Sequence, residues 1–253
     1  MKVLEAARRG DTEMVRSLLL AGGVSPNTRN DFNSTPLRIA CAGGHVEVVK
    51  VLLADARTNP NLPGFCGYTP LLTACDEGNL EVVRLLLADK RVDPLCRDAD
   101  DWTPLHYACA RGRPTLTRLL LADGRVDLGA FDHWGKTPVY RARESEDRGI
   151  VALLEEFADD PISTRLRLRL ELGYPDALAA VLYAQTVFLC DGLLRVKSGE
   201  LGSGTRRFFS VASRLPLELQ ALLCNRAFGL ARDSVPPRDS EPAFHHLARV
   251  FVG

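Results

Sequence analysis

One phrase, written four times at a fixed spacing, constrains this chain more than any other feature. TPLRIAC begins at Thr35, TPLLTAC at Thr69, TPLHYAC at Thr103 and TPVYRAR at Thr137, and each Thr follows the last by 34 residues. A second phrase keeps the same step: HVEVVKVLLAD from His45, NLEVVRLLLAD from Asn79 and RPTLTRLLLAD from Arg113. A period of this length means a supersecondary unit that cannot bury its apolar face alone and must stack on copies of itself.

The residues specify what the unit is. Thr followed by Pro opens a helix, because the Thr oxygen can cap free amides and Pro is tolerated at the first helical position. Leu37, Ala40 and Cys41 then share one face, and the small Ala and Cys allow close helix approach. Gly44, Gly78 and Gly112 break the chain before the second helix. Val48, Val49, Leu52 and Leu53 form the apolar stripe of that helix. Two positions before each Thr stand Asn33, Gly67, Asp101 and Gly135. These residue types tolerate the left-handed backbone that a tight turn demands. Each unit therefore reads as turn, short helix, break, second helix and loop.

At these positions the chain resembles the ankyrin repeat, whose TPLHxA phrase it carries with a period one residue longer than the family's 33. The extra residue falls after the second helix, in ADARTNPN, ADKRVDPL and ADGRVDLG. The resemblance covers about 1–160. It comprises an N-terminal cap unit at about 1–31, repeats starting near 33, 67 and 101, and a degenerate capping repeat near 135, where Glu146 replaces the central Gly. The fold class expected is all-α: an ankyrin-repeat solenoid followed by a small α-helical C-terminal domain over 161–253. The resemblance implies a protein partner gripped by turn tips and a concave face. It also implies that His106 holds its turn through backbone hydrogen bonds.

Composition narrows the function classes. The 253 residues carry 32 Lys and Arg against 32 Asp and Glu, without the basic surplus typical of a nucleic-acid binder. The opening MKVLEAARRGDTEM has no apolar run of signal-peptide type. The most apolar stretch, Leu178 to Cys190, is too short to span a bilayer. Seven cysteines cannot all pair within one chain, so free thiols in a reducing compartment are expected. These readings point to a cytoplasmic or nuclear monomer with neither membrane nor nucleic acid as partner.

No catalytic, cofactor or metal set emerges. Cys41, Cys75 and Cys109 share one repeat position and read as buried small hydrophobes. Cys41 with His45 and His106 with Cys109 are isolated pairs, short of the four ligands of a structural zinc site. His245 and His246 are adjacent and cannot share a helical face. KSGELGSGT, 197–205, lacks the order of a phosphate loop and reads as a Gly-rich linker.

Binding signals lie elsewhere. Aromatics crowd the turn tips: Phe32, Phe65, Tyr68, Trp102, Phe131 and Trp134, in a chain only 7% aromatic. They read either as a protein-binding surface, since Trp and Tyr anchor interfaces, or as rings folded onto their own turns. After about residue 160 the period stops. ISTRLRLRLELG is assigned to a helix despite its alternation, because Leu and Arg are good helix formers. PDALAAVLYAQTVFLCDGLL, TRRFFSVASRL, PLELQALLCNRAFGL and EPAFHHLARVFV are further expected helices. LPLEL, Leu215 to Leu219, resembles the opening of an F-box, which implies docking on a Skp-type adaptor of a cullin ubiquitin ligase. Leu215, Pro216, Leu217, Leu219, Leu222 and Leu223 would carry that contact. The alternative is a purely structural helical domain.

Overall fold

Each Thr-Pro phrase starts a helix in the way its chemistry requires. In the computed structural model, which describes residues 2–174, Thr35, Thr69, Thr103 and Thr137 are N-caps. Their side chains accept from the amides of Arg38, Leu72, His106 and Tyr140. The inner helices they open are α3 (Pro36–Ala42), α5 (Pro70–Glu77), α7 (Pro104–Ala110) and α9 (Pro138–Glu144), preceded by α1 (Lys2–Arg9). The outer helices are α2 (Thr12–Leu20), α4 (Val46–Ala54), α6 (Leu80–Ala88), α8 (Pro114–Asp123) and α10 (Arg148–Asp159). Among the described residues there are no strands.

Two layers stack in sequence order. Inner helices pack α1 on α3, α3 on α5, α5 on α7 and α7 on α9; outer helices pack α2 on α4, α4 on α6 and α6 on α8. The core recurs with the period. Ala40, Ala74, Ala108 and Ala142 are fully buried, as are Cys41, Cys75 and Cys109. The small side chains at these two positions are what lets neighbouring inner helices approach closely. Val48, Val49 and Leu52 are buried as their stripe predicts, whereas Leu53, at the edge of the stripe, is only half-buried. Burying one such Leu stabilises the stack by about 2 kcal/mol.

The turns are left-handed where the sequence placed them. Asn33, Gly67, Asp101 and Gly135 have φ of 57°, 79°, 60° and 69°. Glu146, standing where earlier repeats have Gly, takes the same conformation at φ 58°. A Glu there carries the steric cost that Gly avoids.

The chain divides into two units, Met1–Ala158 and Asp159–Gly253. In the second, α11 (Pro161–Glu171) is capped by Asp160, whose carboxylate accepts from the Ser163 amide at 3.1 Å. The alternating ISTRLRLRLELG is thus helical. The remaining expected helices, the 197–205 linker and the residues Leu215, Pro216, Leu217, Leu219, Leu222 and Leu223 lie outside the described residues.

Candidate protein-binding surface

Each turn tip is built around one side-chain acceptor. Asn30 Oδ1 accepts from the amides of Phe32 (3.1 Å) and Ser34 (2.8 Å). Asp98 Oδ1 does the same for Asp100 (2.9 Å) and Trp102 (2.8 Å), and Asp132 Oδ1 for Trp134 and Lys136, both at 2.9 Å. Asn and Asp suit this role because a short carboxamide or carboxylate can mimic a backbone turn. These residues recur at the period, five positions before each Thr. The sequence carries that signal in its period. In the second repeat Gly64 occupies the position, and the tip closes instead with a short 3₁₀ turn, Phe65–Gly67, in which Cys66 sits at φ 52°.

Successive tips are joined by backbone bonds. The Ala99 amide donates to Cys66 O and the His133 amide to Asp100 O, both at 2.9 Å. The second, third and fourth tips therefore form one hydrogen-bonded edge. His106 adds a further tie. Its Nδ1 accepts from the Thr103 amide at 3.2 Å, so the proton lies on Nε2, which donates to Lys136 O at 3.1 Å. Burial holds His106 below the usual histidine pKa, which keeps it in this neutral tautomer.

The six tip aromatics divide into two groups. Phe32, Phe65, Phe131 and Trp134 are 72, 70, 60 and 56% exposed. Tyr68 and Trp102 are half-buried and turn onto Tyr107 of α7, with ring centroids 5.7 and 5.0 Å from it. Tyr107 has one phenolic proton, and the Asp98 carboxylate can only accept. Tyr107 therefore donates to Asp98 Oδ2 at 2.5 Å and accepts from the Tyr68 hydroxyl at 2.7 Å. Burial, then the bond to Asp98, pushes the Tyr107 phenol far above its usual pKa.

Trp134 is exposed but not loose. Arg141 of α9 lies between two indoles, its guanidinium carbon 4.8 Å from the Trp102 ring and 5.4 Å from the Trp134 ring. The same guanidinium binds Asp132 Oδ2 through Nε (2.8 Å) and Nη2 (2.5 Å), and Glu144 through Nη1 at 2.9 Å. The Asp132 side chain is fully covered. One arginine thus fixes the acceptor at the centre of the tip and the ring at its surface. Trp102, Trp134, Lys136 and Arg141 line a shallow notch of about 220 Å³.

A second set of ties lies at the opposite end of the repeats. Arg57, Arg91 and Arg125 each pair with the Asp two residues earlier. Each also reaches back 38 residues, to Leu19 O (3.3 Å), Leu53 O (2.6 Å) and Leu87 O (2.9 Å). His45, Asn79 and Arg113 reach similarly to the carbonyls of Arg8, Cys41 and Cys75.

Thiols and cavities complete the geometry. Burial raises the pKa of Cys41 and Cys75, and pushes the Cys109 thiol up to about 12. Cys66 is exposed at its tip. Among the described residues no three His, Cys, Asp or Glu side chains converge as metal ligands, and no helix is long and apolar enough to cross a membrane.

Comparison with known families places this periodicity. The family model for ankyrin repeats in three copies matches residues 3–98, and that for ankyrin repeats in many copies matches 96–142. A search of curated proteins returns no match. The matched span contains the four Thr-Pro caps, the left-handed tips and the helices through α8, and the chain belongs to the ankyrin-repeat family.

Proposed function

We propose that the chain is a non-enzymatic recognition scaffold that holds a protein partner through its turn tips and inner-helix groove. The observation that carries this reading is Trp134. It is a large apolar ring, more than half exposed, yet held by Arg141 through the buried Asp132. Ordering a side chain on binding costs about 0.5–1.5 kcal/mol, and a ring already fixed avoids part of that. Phe65 and Phe131 extend the surface along the same hydrogen-bonded edge, and Phe32 stands at the first tip. Tyr68 and Trp102 act as supports beneath it. The perturbed titratable groups have structural employment: the raised thiols are core, and His106 caps a turn. This favours recognition over catalysis. The free thiols agree with a cytosolic or nuclear setting.

The test is quantitative partner recovery from cells with the intact chain and a Phe65→Ala, Phe131→Ala, Trp134→Ala variant. Recovered proteins should be lost although the melting curve is kept. Unchanged recovery at unchanged stability would remove the tip reading. A second reading, a substrate adaptor of a cullin-type ubiquitin ligase, rests on the LPLEL phrase alone. Co-purification with a Skp-type adaptor, lost on Leu217→Asp with Leu222→Asp in a folded chain, tests it.

A further inference from the structure

Several arginines of the later repeats are answered by acids. Arg91 pairs with Asp89, Arg111 with Asp76, Arg125 with Asp123, and Arg141 with Asp132 and Glu144. The first inner groove departs from this pattern. It lies between α1, the first tip and α3, with a volume of about 810 Å³, and its walls include Lys2, Arg8 and Arg38. Among the described residues, none of these three has an acidic partner. Of the two carboxylates that line the groove, Glu5 is already held by Arg9 at 2.8 Å, which leaves Asp31.

Arg38 is the informative member. It is half-buried, and its Nε has no acceptor and is shut off from solvent. Gly64 closes over it so tightly that an added Cβ would stand 2.7 Å from that nitrogen. Among the described residues its guanidinium makes one hydrogen bond, from Nη2 to the Ser34 hydroxyl. Burial draws the guanidinium below its ordinary pKa, with no carboxylate to offset the loss of water. A partly desolvated cation of this kind carries an uncompensated cost in the free protein. A planar guanidinium is best satisfied by a bidentate carboxylate. Phe32, 72% exposed, and Ile39 supply apolar wall on the same groove.

We infer that this groove receives an acidic, apolar segment of a protein partner, with a carboxylate between Arg38 and Arg8 and a neighbouring apolar side chain against Phe32 and Ile39. The inference rests on the recognition reading above and names the chemistry of what is recognised.

Selection of random dodecapeptides displayed on phage, against the intact chain, tests it. Selected sequences should be rich in Asp or Glu beside Leu, Ile or Phe. Their synthetic versions, followed by fluorescence anisotropy, should weaken about tenfold or more with Arg8→Gln or Arg38→Gln. Arg118→Gln, on the exposed face of α8, should leave affinity unchanged. Arg8 is exposed, so its variant remains informative if Arg38→Gln disturbs folding. Binders without acidic enrichment, acidic binders indifferent to both substitutions, or tighter competition by a short single-stranded oligonucleotide would each overturn the inference. Binders that ignore the arginines but are lost with Phe65→Ala and Trp134→Ala would sink it while leaving tip recognition intact. A selection that yields no binder would count against both.

Discussion

Replacing Arg141 by Met tests the fourth tip most sharply. Met keeps apolar length between the two indoles and removes the charge. Asp132 then stays covered, with Oδ1 still accepting two amides but Oδ2 stripped of both guanidinium bonds. Removing one member of a buried pair costs about 3–5 kcal/mol when nothing else satisfies the survivor. Here half of the carboxylate remains bonded, which brings the expected loss to about 2 kcal/mol on the same basis. The two ring contacts add about 0.5–1 kcal/mol between them, because Trp134 remains partly solvated. The total is about 2.5–3 kcal/mol. Asp132→Asn keeps an oxygen for the tip amides and removes the charge, so it should cost less. The pair together should be milder than the sum. Urea unfolding of the four proteins in a double-mutant cycle measures this, and a coupling of about 1–2 kcal/mol is expected for groups in direct contact. Tryptophan fluorescence should report a more solvated Trp134 in Arg141→Met. A loss below about 1 kcal/mol, or additive single effects, would refute the argument that Asp132 depends on this arginine.

Other outcomes follow from geometry already described. His106 has a folded pKa lowered by burial, so the folded state disfavours its proton. Its stabilising share is complete above the unfolded value of about 6.5 and is lost as pH falls below it toward the folded value. His106→Gln should flatten that part of a stability-versus-pH curve. Arg91→Ala removes bonds to Leu53 O, Thr58 O and Asp89. It should cost about 1 kcal/mol, discounted for exposure, against roughly zero for Arg16→Ala on the outer face; urea melts decide. Among the described thiols, iodoacetamide at neutral pH should label Cys66 first, and Cys41, Cys75 and Cys109 only after unfolding, as read by peptide mass spectrometry. Leu86→Ala, at a fully buried position, should destabilise the stack by about 2–5 kcal/mol.

The backbone plan was legible because each part of it is a local event. Thr caps, Pro at the first helical position and the turn residue two places before Thr act within a few residues, so the sequence states them directly. Even Glu146 announced the fourth break by its place in the period. What escaped notice acts between units. Arg57, Arg91 and Arg125 stand in the loops after the second helices, yet their bonds reach carbonyls 38 residues away, and nothing local reveals an acceptor so distant. The tip aromatics show the same limit. Trp102 and Trp134 both read as tip aromatics, but Tyr107 and Asp98 draw the first inward while Arg141 braces the second at the surface. Likewise, an unpaired Arg38 is visible only once its neighbours are known.

The reach-back bonds have a mechanical corollary. Each fastens one repeat to its immediate neighbour, and those described span 30–39 residues. Among the described residues, a stack fastened this way has no long clamp to shear at once. Pulled from its ends, it should peel unit by unit, releasing about 34 residues of slack per rupture, or about 115 Å of extended chain. The rhythm written in the sequence would then reappear as evenly spaced teeth in a force trace.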